Sequence, residues 1–195
     1  MVKIAAVGVL VLLCAIPVMG QEDFPRIQTS LGYANLDFLD YNSVDFLTGA
    51  PTGVKAHHSG FANETGFNFT KNWGLSNYMG VYSLGGSKTF GSNVTLITDI
   101  IGGKAMWRTS RAVPYGTAGI GFGYSTASLC YSYFGCGGSL AGRYGGGVDI
   151  PMNDFLGLKF EVTRMSFHLQ TDPTVGAKWN SGINIQTGVV ITLAQ

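Results

Sequence analysis

Charged side chains are scarce in this 195-residue chain: Asp, Glu, Lys and Arg together make up 12% of it, against roughly 25% in soluble globular domains. A fully solvated surface is hard to build from so few ions. The balance is 12 basic to 11 acidic residues, so no field of one sign exists to attract a polyanion, and nucleic acid is not an expected partner. After Ile16 no apolar run approaches the roughly 20 residues a spanning helix needs, which excludes a helical membrane protein and leaves strands for any membrane crossing. Cysteine is limited to three residues and proline to six. What the chain has in quantity is glycine, 29 residues, roughly twice average usage, with another 12% aromatic; disordered chains have the opposite balance. The length suits one domain. Together these features predict an all-β chain with a greasy outside.

The N-terminus reads Met1-Val2-Lys3, an apolar stretch from Ile4 to Ile16, then Pro17-Val18-Met19-Gly20. A positive start, a short apolar run and small residues after a breaker predict a secretory signal peptide over 1–20, with the mature domain over 21–195. A buried core helix or a retained anchor fits less well, because the stretch is too short to span and runs into a polar break. Leu13 precedes Cys14, where lipoprotein processing requires a small residue, so lipidation is not expected. Cleavage would remove Lys3 and leave 11 basic against 11 acidic residues, with Cys130 and Cys136 as the remaining cysteines. An even pair in an exported chain predicts a disulfide; two free buried thiols are the alternative.

Period-two alternation is clearest near the C-terminus, where Ile183, Ile185, Val189, Ile191 and Leu193 share one parity against Asn184, Gln186 and Thr192. Leu156, Leu158, Phe160 and Val162 alternate with Gly157, Lys159, Glu161 and Thr163. Leu140, Tyr144, Val148 and Ile150 oppose Ala141, Arg143, Gly145, Gly147 and Asp149, while Ile120, Phe122 and Tyr124 oppose Gly119, Gly121 and Gly123. Strands are also expected over 27–33 and 61–69, and over 75–82, where Asn77 falls on the apolar parity. In 94–106, Val94, Leu96, Ile100 and Met106 share a face opposite Asp99, with Ile97 and Ile101 on the Asp side. Eight strands result. Short turns at 71–74, 108–111 and 151–154 alternate with longer connections near 36–59, 83–93, 125–139 and 165–180, the pattern of an up-and-down meander.

An eight-stranded sheet with free edges would leave two rows of unpaired backbone groups, a prohibitive cost in hydrocarbon, so closure into a transmembrane β-barrel is predicted. A soluble lipocalin-like barrel would turn the apolar set inward; a membrane barrel reverses this. The polar set here is mostly Gly, Ala, Ser, Thr and Asn, too small and uncharged for a solvated surface, which favours the reversed sense. Tyr33, Tyr124, Tyr144 and Phe155 are then candidates for interfacial girdles. On this assignment Glu64, Asp99, Arg143, Asp149, Lys159 and Glu161 point into the lumen. Buried ions need partners, so Arg143 and Lys159 are expected to pair with Glu64 and Glu161, or with Asp99 and Asp149 at other depths; solvated charges in a wet lumen are the alternative. Lys104 takes the outward parity, placed to snorkel to headgroups.

These residues resemble the small outer-membrane β-barrel proteins of Gram-negative bacteria, the OmpA-like transmembrane domain and its OmpX-like relatives, over nearly the whole mature chain. The resemblance rests on Ser30-Leu31-Gly32-Tyr33, on the Phe61–Tyr82 hairpin with Asn72-Trp73-Gly74 at its turn, and on Gly145–Ile150 leading to Leu158-Lys159-Phe160-Glu161-Val162. It also implies an assembly signal at Gln186, Gly188, Ile191 and Leu193 read by the barrel-assembly machinery, although the chain ends Leu193-Ala194-Gln195 and not on the family's usual terminal aromatic. No periplasmic peptidoglycan-binding domain is recognised after it, so the barrel half alone is matched.

Chemistry-bearing motifs are few. Ser166 and His168 lie two apart, loosely like the catalytic pair of lipid A-modifying barrels, but that family's surrounding motif is missing. His57-His58 lacks the third and fourth ligands of a tight metal site. Gly119–Gly123 sits inside a strand with no helix after it, so it is not a phosphate loop. Three Asn-x-Thr sequons, beginning at Asn63, Asn68 and Asn93, would go unused in a bacterial source. No cofactor is expected. The leading expectation is a non-enzymatic outer-membrane barrel, in contact with outer-membrane lipids, whose external loops meet an unidentified ligand. A lipid-modifying enzyme, a narrow pore and a soluble ligand-binding barrel are the alternatives. A closed membrane barrel should shift in gel mobility on boiling; an unshifted species soluble without detergent identifies the soluble alternative.

Overall fold

The computed structural model describes residues 24–38, 57–86, 93–126, 138–170 and 177–194. The predicted signal peptide, Cys130 and Cys136 lie outside these residues. The described chain forms eight strands: β1 Ile27–Phe38, β2 His57–Asn68, β3 Trp73–Gly86, β4 Asn93–Met106, β5 Val113–Thr126, β6 Gly138–Pro151, β7 Leu156–Gln170 and β8 Ala177–Ala194. Each pairs antiparallel with the next, and β8 returns to β1, closing the barrel. Several strands outrun their predicted lengths. β2 begins at His57, and β7 continues through Ser166 and His168, both expected in or near longer connections.

The three tight connections share one end and are each locked by a short polar side chain, the chemistry that favours turns. Thr70 Oγ1 accepts from the amides of Asn72 at 3.3 Å and Trp73 at 3.0 Å. Thr109 Oγ1 donates to the Ala112 carbonyl at 2.6 Å and accepts from its amide at 3.1 Å. Asn153 Oδ1 accepts from Phe155 N at 2.9 Å and Leu156 N at 2.7 Å.

The closing seam depends on two glycines. Gly32 on β1 pairs with Gly188 on β8, and a Cβ on Gly32 would stand 2.2 Å from the Thr187 carbonyl oxygen, one on Gly188 2.4 Å from that of Leu31. Neither backbone oxygen has a side chain's freedom to move aside.

The facing is that of the reversed barrel. Ile120 is 73% exposed and Phe122 65%, while Leu31, Phe61, Phe160, Val162 and Ile185 are exposed too. Tyr33, Tyr124, Tyr144 and Phe155 all face out, joined by Trp73 and Trp107 at the tight-turn end. Strand β4 is the exception and corrects the expectation: Leu96, Ile100, Met106 and Lys104 are buried in the lumen, and Asp99 is on the outside. Paired residues on neighbouring strands share a face. Ile101 pairs with Ile120, so the outward Ile120 carries Ile101 and Asp99 out with it.

The lumen is layered. Leu36, Tyr78, Tyr82, Leu96, Ile100, Met165 and Phe167 form an apolar layer toward the long connections. Met106, Val113 and Tyr115 form a second cluster toward the tight turns, where buried Phe24 has the Arg26 guanidinium 4.6 Å from its ring centroid. Lysine introduced at lipid-facing Ile185 should cost up to about 2–4 kcal/mol near the bilayer midplane, read by urea unfolding in vesicles; Gln186→Lys, one position over, tests the lumen face in parallel and should not follow the same depth dependence.

Candidate functional site

Between the two apolar layers lies a cluster of six ions contributed by β2, β4, β6 and β7. Glu64 is its hub. Its carboxylate meets Lys159 Nζ at 2.7 Å, Arg143 at 3.2 Å and Lys104 Nζ at 3.5 Å. Glu161 pairs with Arg143 and stands 3.5 Å from Lys159 Nζ, and Asp149 takes Lys104 at 3.2 Å. Three cations and three carboxylates leave the cluster formally neutral. All six residues are buried.

Aromatic rings and hydroxyls complete it. The Arg143 guanidinium lies 3.9 Å from the centroid of Tyr78, and Lys104 Nζ 3.7 Å from that of Tyr115; a cation over a ring face is attracted by the ring quadrupole. Tyr115 donates its hydroxyl to Glu161 at 2.9 Å. Above the ions, the hydroxyls of Tyr78 and Tyr82 lie 2.5 Å apart, Tyr82 donates to Asn184 Oδ1 at 2.8 Å, and Asn184 Nδ2 donates to Tyr78 at 3.2 Å. Polar groups buried in this way stabilise only when satisfied, and here most are. Asp149 Oδ1, beside a cavity of about 10 Å³, lacks a protein partner, and a cavity of that size is about the room of one water.

The sequence-predicted residues divide clearly. The structure brings together Glu64, Arg143, Asp149, Lys159 and Glu161, with Arg143 and Lys159 on Glu64 and Glu161. Asp99 is not among them: it accepts from Asn77 Nδ2 at 2.5 Å on the outer face. Lys104, placed outward in the sequence reading, takes the vacant role. Either parity of β4 leaves one ion outside; the inward lysine reaches two carboxylates, whereas an inward Asp99 would have forfeited both contacts. Tyr78, Tyr82 and Tyr115 are missed by the sequence because aromatic residues on the small-residue parity carry no charge signal, whereas Asn184 is legible on the polar parity of β8 but its tyrosine partners are not.

Of the residues matched to an assembly signal, Gln186 is fully buried and reaches the Ala62 carbonyl at 3.5 Å, Gly188 is at the seam, Ile191 is half-buried and Leu193 exposed. Ser166 and His168 alternate on one face of β7, about 6.6 Å apart along the strand, and the His168 ring packs on Trp179 at 5.1 Å. His58 is not a solvated loop residue; it is buried on β2 with its ring 5.7 Å from Phe38. Among the described residues no group of three or more His, Cys, Asp or Glu is arranged to hold a metal.

A closed eight-stranded antiparallel barrel with its apolar face outside and ions at its axis has one natural setting. The sequence matches the family described as outer membrane protein beta-barrel domain over residues 6–190. The chain belongs to that family. No curated protein matches this outer-membrane barrel in sequence. Among solved structures, Neisserial surface protein A is similar with a TM-score of 0.64 at 12% identity, covering 86% of this chain and 97% of that one. Ail, the attachment invasion locus protein of Yersinia pestis, solved with the heparin analogue sucrose octasulfate, gives 0.52 at 15% identity over 85% and 97%. OprG from Pseudomonas aeruginosa gives 0.52 at 15% over 87% and 96%. At these identities the likeness is one of fold.

The connectivity of the ion cluster ranks its members. Replacing Glu64 with Leu takes one carboxylate from all three cations, leaving Lys104 only Asp149 and leaving Arg143 and Lys159 to share Glu161, and should cost the outer-membrane barrel up to about 3–5 kcal/mol; Asp149→Leu, which takes a partner from Lys104 alone, should cost less, and Arg143→Leu should fall between. Urea titrations in lipid vesicles give the order, and equal costs for Glu64 and Asp149 would remove the hub.

Proposed function

We infer that this outer-membrane barrel is a non-enzymatic, non-conducting surface protein, in which the barrel is an anchor and the four longer connections at one end do the recognising. The observation that carries this reading is the filled axis. An aromatic and aliphatic layer, a neutral ion cluster and a second apolar cluster succeed one another along the lumen. Eight strands enclose an interior just wide enough to be filled by side chains. The layer of ions holds itself by mutual pairing, so no string of waters is required to solvate it.

On the same reading the chain is exported by a cleaved leader over 1–20, inserted by the barrel-assembly machinery through Gln186, Gly188, Ile191 and Leu193, and seated among outer-membrane lipids with its tight turns toward the periplasm. A Cys130–Cys136 disulfide would clip the third long connection. The barrel then supplies rigidity and the connections supply chemistry, the usual division between scaffold and loop. Ser166 and His168 support no hydrolase in this reading, since the His168 ring packs on Trp179 and, among the described residues, the two side chains make no hydrogen bond with each other.

Reconstituted in phosphatidylcholine vesicles, the chain should shift in gel mobility on boiling and yet leave the vesicles impermeable to small sugars. Osmotic swelling with such solutes, at a rate scaling with the amount of folded protein, would overturn the closed-lumen reading and favour the pore.

A further inference from the structure

The outer face of the barrel carries a polar group where lipid should be. Asp99 lies exposed on β4, with Ile97 and Ile101 as its outward neighbours along the strand and Met79 and Phe122 as its paired neighbours across. It is therefore within the apolar belt and not at its rim. Its carboxylate accepts one bond, from Asn77 Nδ2 at 2.5 Å. Among the described residues neither side chain makes a further hydrogen bond, so one carboxylate oxygen, one amide hydrogen and the amide oxygen of this couple are left without a protein partner, and hydrocarbon offers none. Polar groups at this depth are costly, and they are retained where they meet something.

A second observation is independent of charge. Gly103 and Gly116 face outward just toward the tight turns from Asp99, flanked by Ala105 and Ala118. A Cβ on Gly103 would meet nothing within 4 Å, and one on Gly116 nothing nearer than 3.8 Å. The seam glycines are required by their own barrel; these two are not. Glycine weakens a strand and marks places where another backbone comes close. A flat patch on the lipid side permits such an approach.

We propose that the β3–β4–β5 face is an interface with a second copy of this chain, built on the Asn77–Asp99 couple and the adjoining glycine patch. Copies inserted in one sense meet about a two-fold axis along the membrane normal, and such an interface must be self-complementary. This face is. With the axis between β3 and β4, Asn77 of each copy stands opposite Asp99 of the other at one depth, because the two groups already lie at hydrogen-bond distance within a copy. The free amide hydrogen of each then reaches the free carboxylate oxygen of the other, twice over. The same axis sets the patch of each copy opposite β2 of the other, whose exposed Phe67, also in the tight-turn half, fills the flat surface. A lipid tail could cover the glycines but would leave the carboxylate without a donor.

The test is dilution of fluorescently labelled full-length chain in phosphatidylcholine vesicles, with association read by energy transfer and folding checked by the mobility shift on boiling. The wild-type chain should pass from dimer to monomer as lipid is added. Asp99→Leu, which suits the lipid face and should leave the barrel folded, removes two interchain bonds per dimer and should weaken association about tenfold. Gly116→Leu should weaken it through the patch alone, with the carboxylate intact, so the proposal does not hang on one variant. A wild-type chain that is folded and monomeric at every dilution overturns it, as do two folded variants that associate as the wild type does. A barrel that fails to fold in vesicles at all would count against its membrane reading and not against this interface, and dilution in native outer-membrane fragments then decides between dimer and monomer.

Discussion

A sheet immersed in hydrocarbon must pair every backbone donor and acceptor within itself, and the rest of this structure follows from that constraint. It demands closure, which Gly32 and Gly188 permit by letting β1 and β8 approach without side chains between them. Closure of eight strands in turn sets the bore, and the bore is too narrow for water to solvate ions freely. The charges inside have to satisfy one another.

That second requirement explains the arrangement at the axis. Glu64 holds three cations because three strands can aim long side chains at one point in a narrow tube, while β2 supplies a single acid there. Aromatic rings do two jobs around it. Tyr78 and Tyr115 offer their faces to Arg143 and Lys104, and their hydroxyls hand the polar network on to Asn184 and Glu161. The apolar clusters at either side keep water from competing for these bonds, so the ions strengthen the closure that forced them together.

Much of this is legible residue by residue. In β6, β7 and β8 one parity is plainly apolar and the other plainly not, so Arg143, Lys159 and Glu161 can be turned inward without seeing the fold. β4 defeats the same reasoning. Its two parities hold Leu96, Ile100 and Met106 on one side and Ile97 and Ile101 on the other, nearly equal in hydrophobicity, and each side carries one ion. Periodicity has no purchase on a strand with two apolar faces. What decides is the pairing of Ile101 with outward Ile120, together with the two carboxylates waiting for Lys104 across the lumen. Length was the other difficulty: β5 begins at Val113, ahead of its visible alternation, and brings Tyr115 to the ions.

The amino-acid sequence by itself determined that the chain is all-β, that eight strands alternate with short and long connections, and that the greasy parity faces outward, because composition and period two are local properties of the chain. Only the tertiary structure decided which ions meet, which face of β4 looks inward, and that Asp99 stands in the apolar belt beside Asn77. Those outcomes depend on register between strands far apart in sequence, and a partner on another strand leaves no mark in the spacing of one's own.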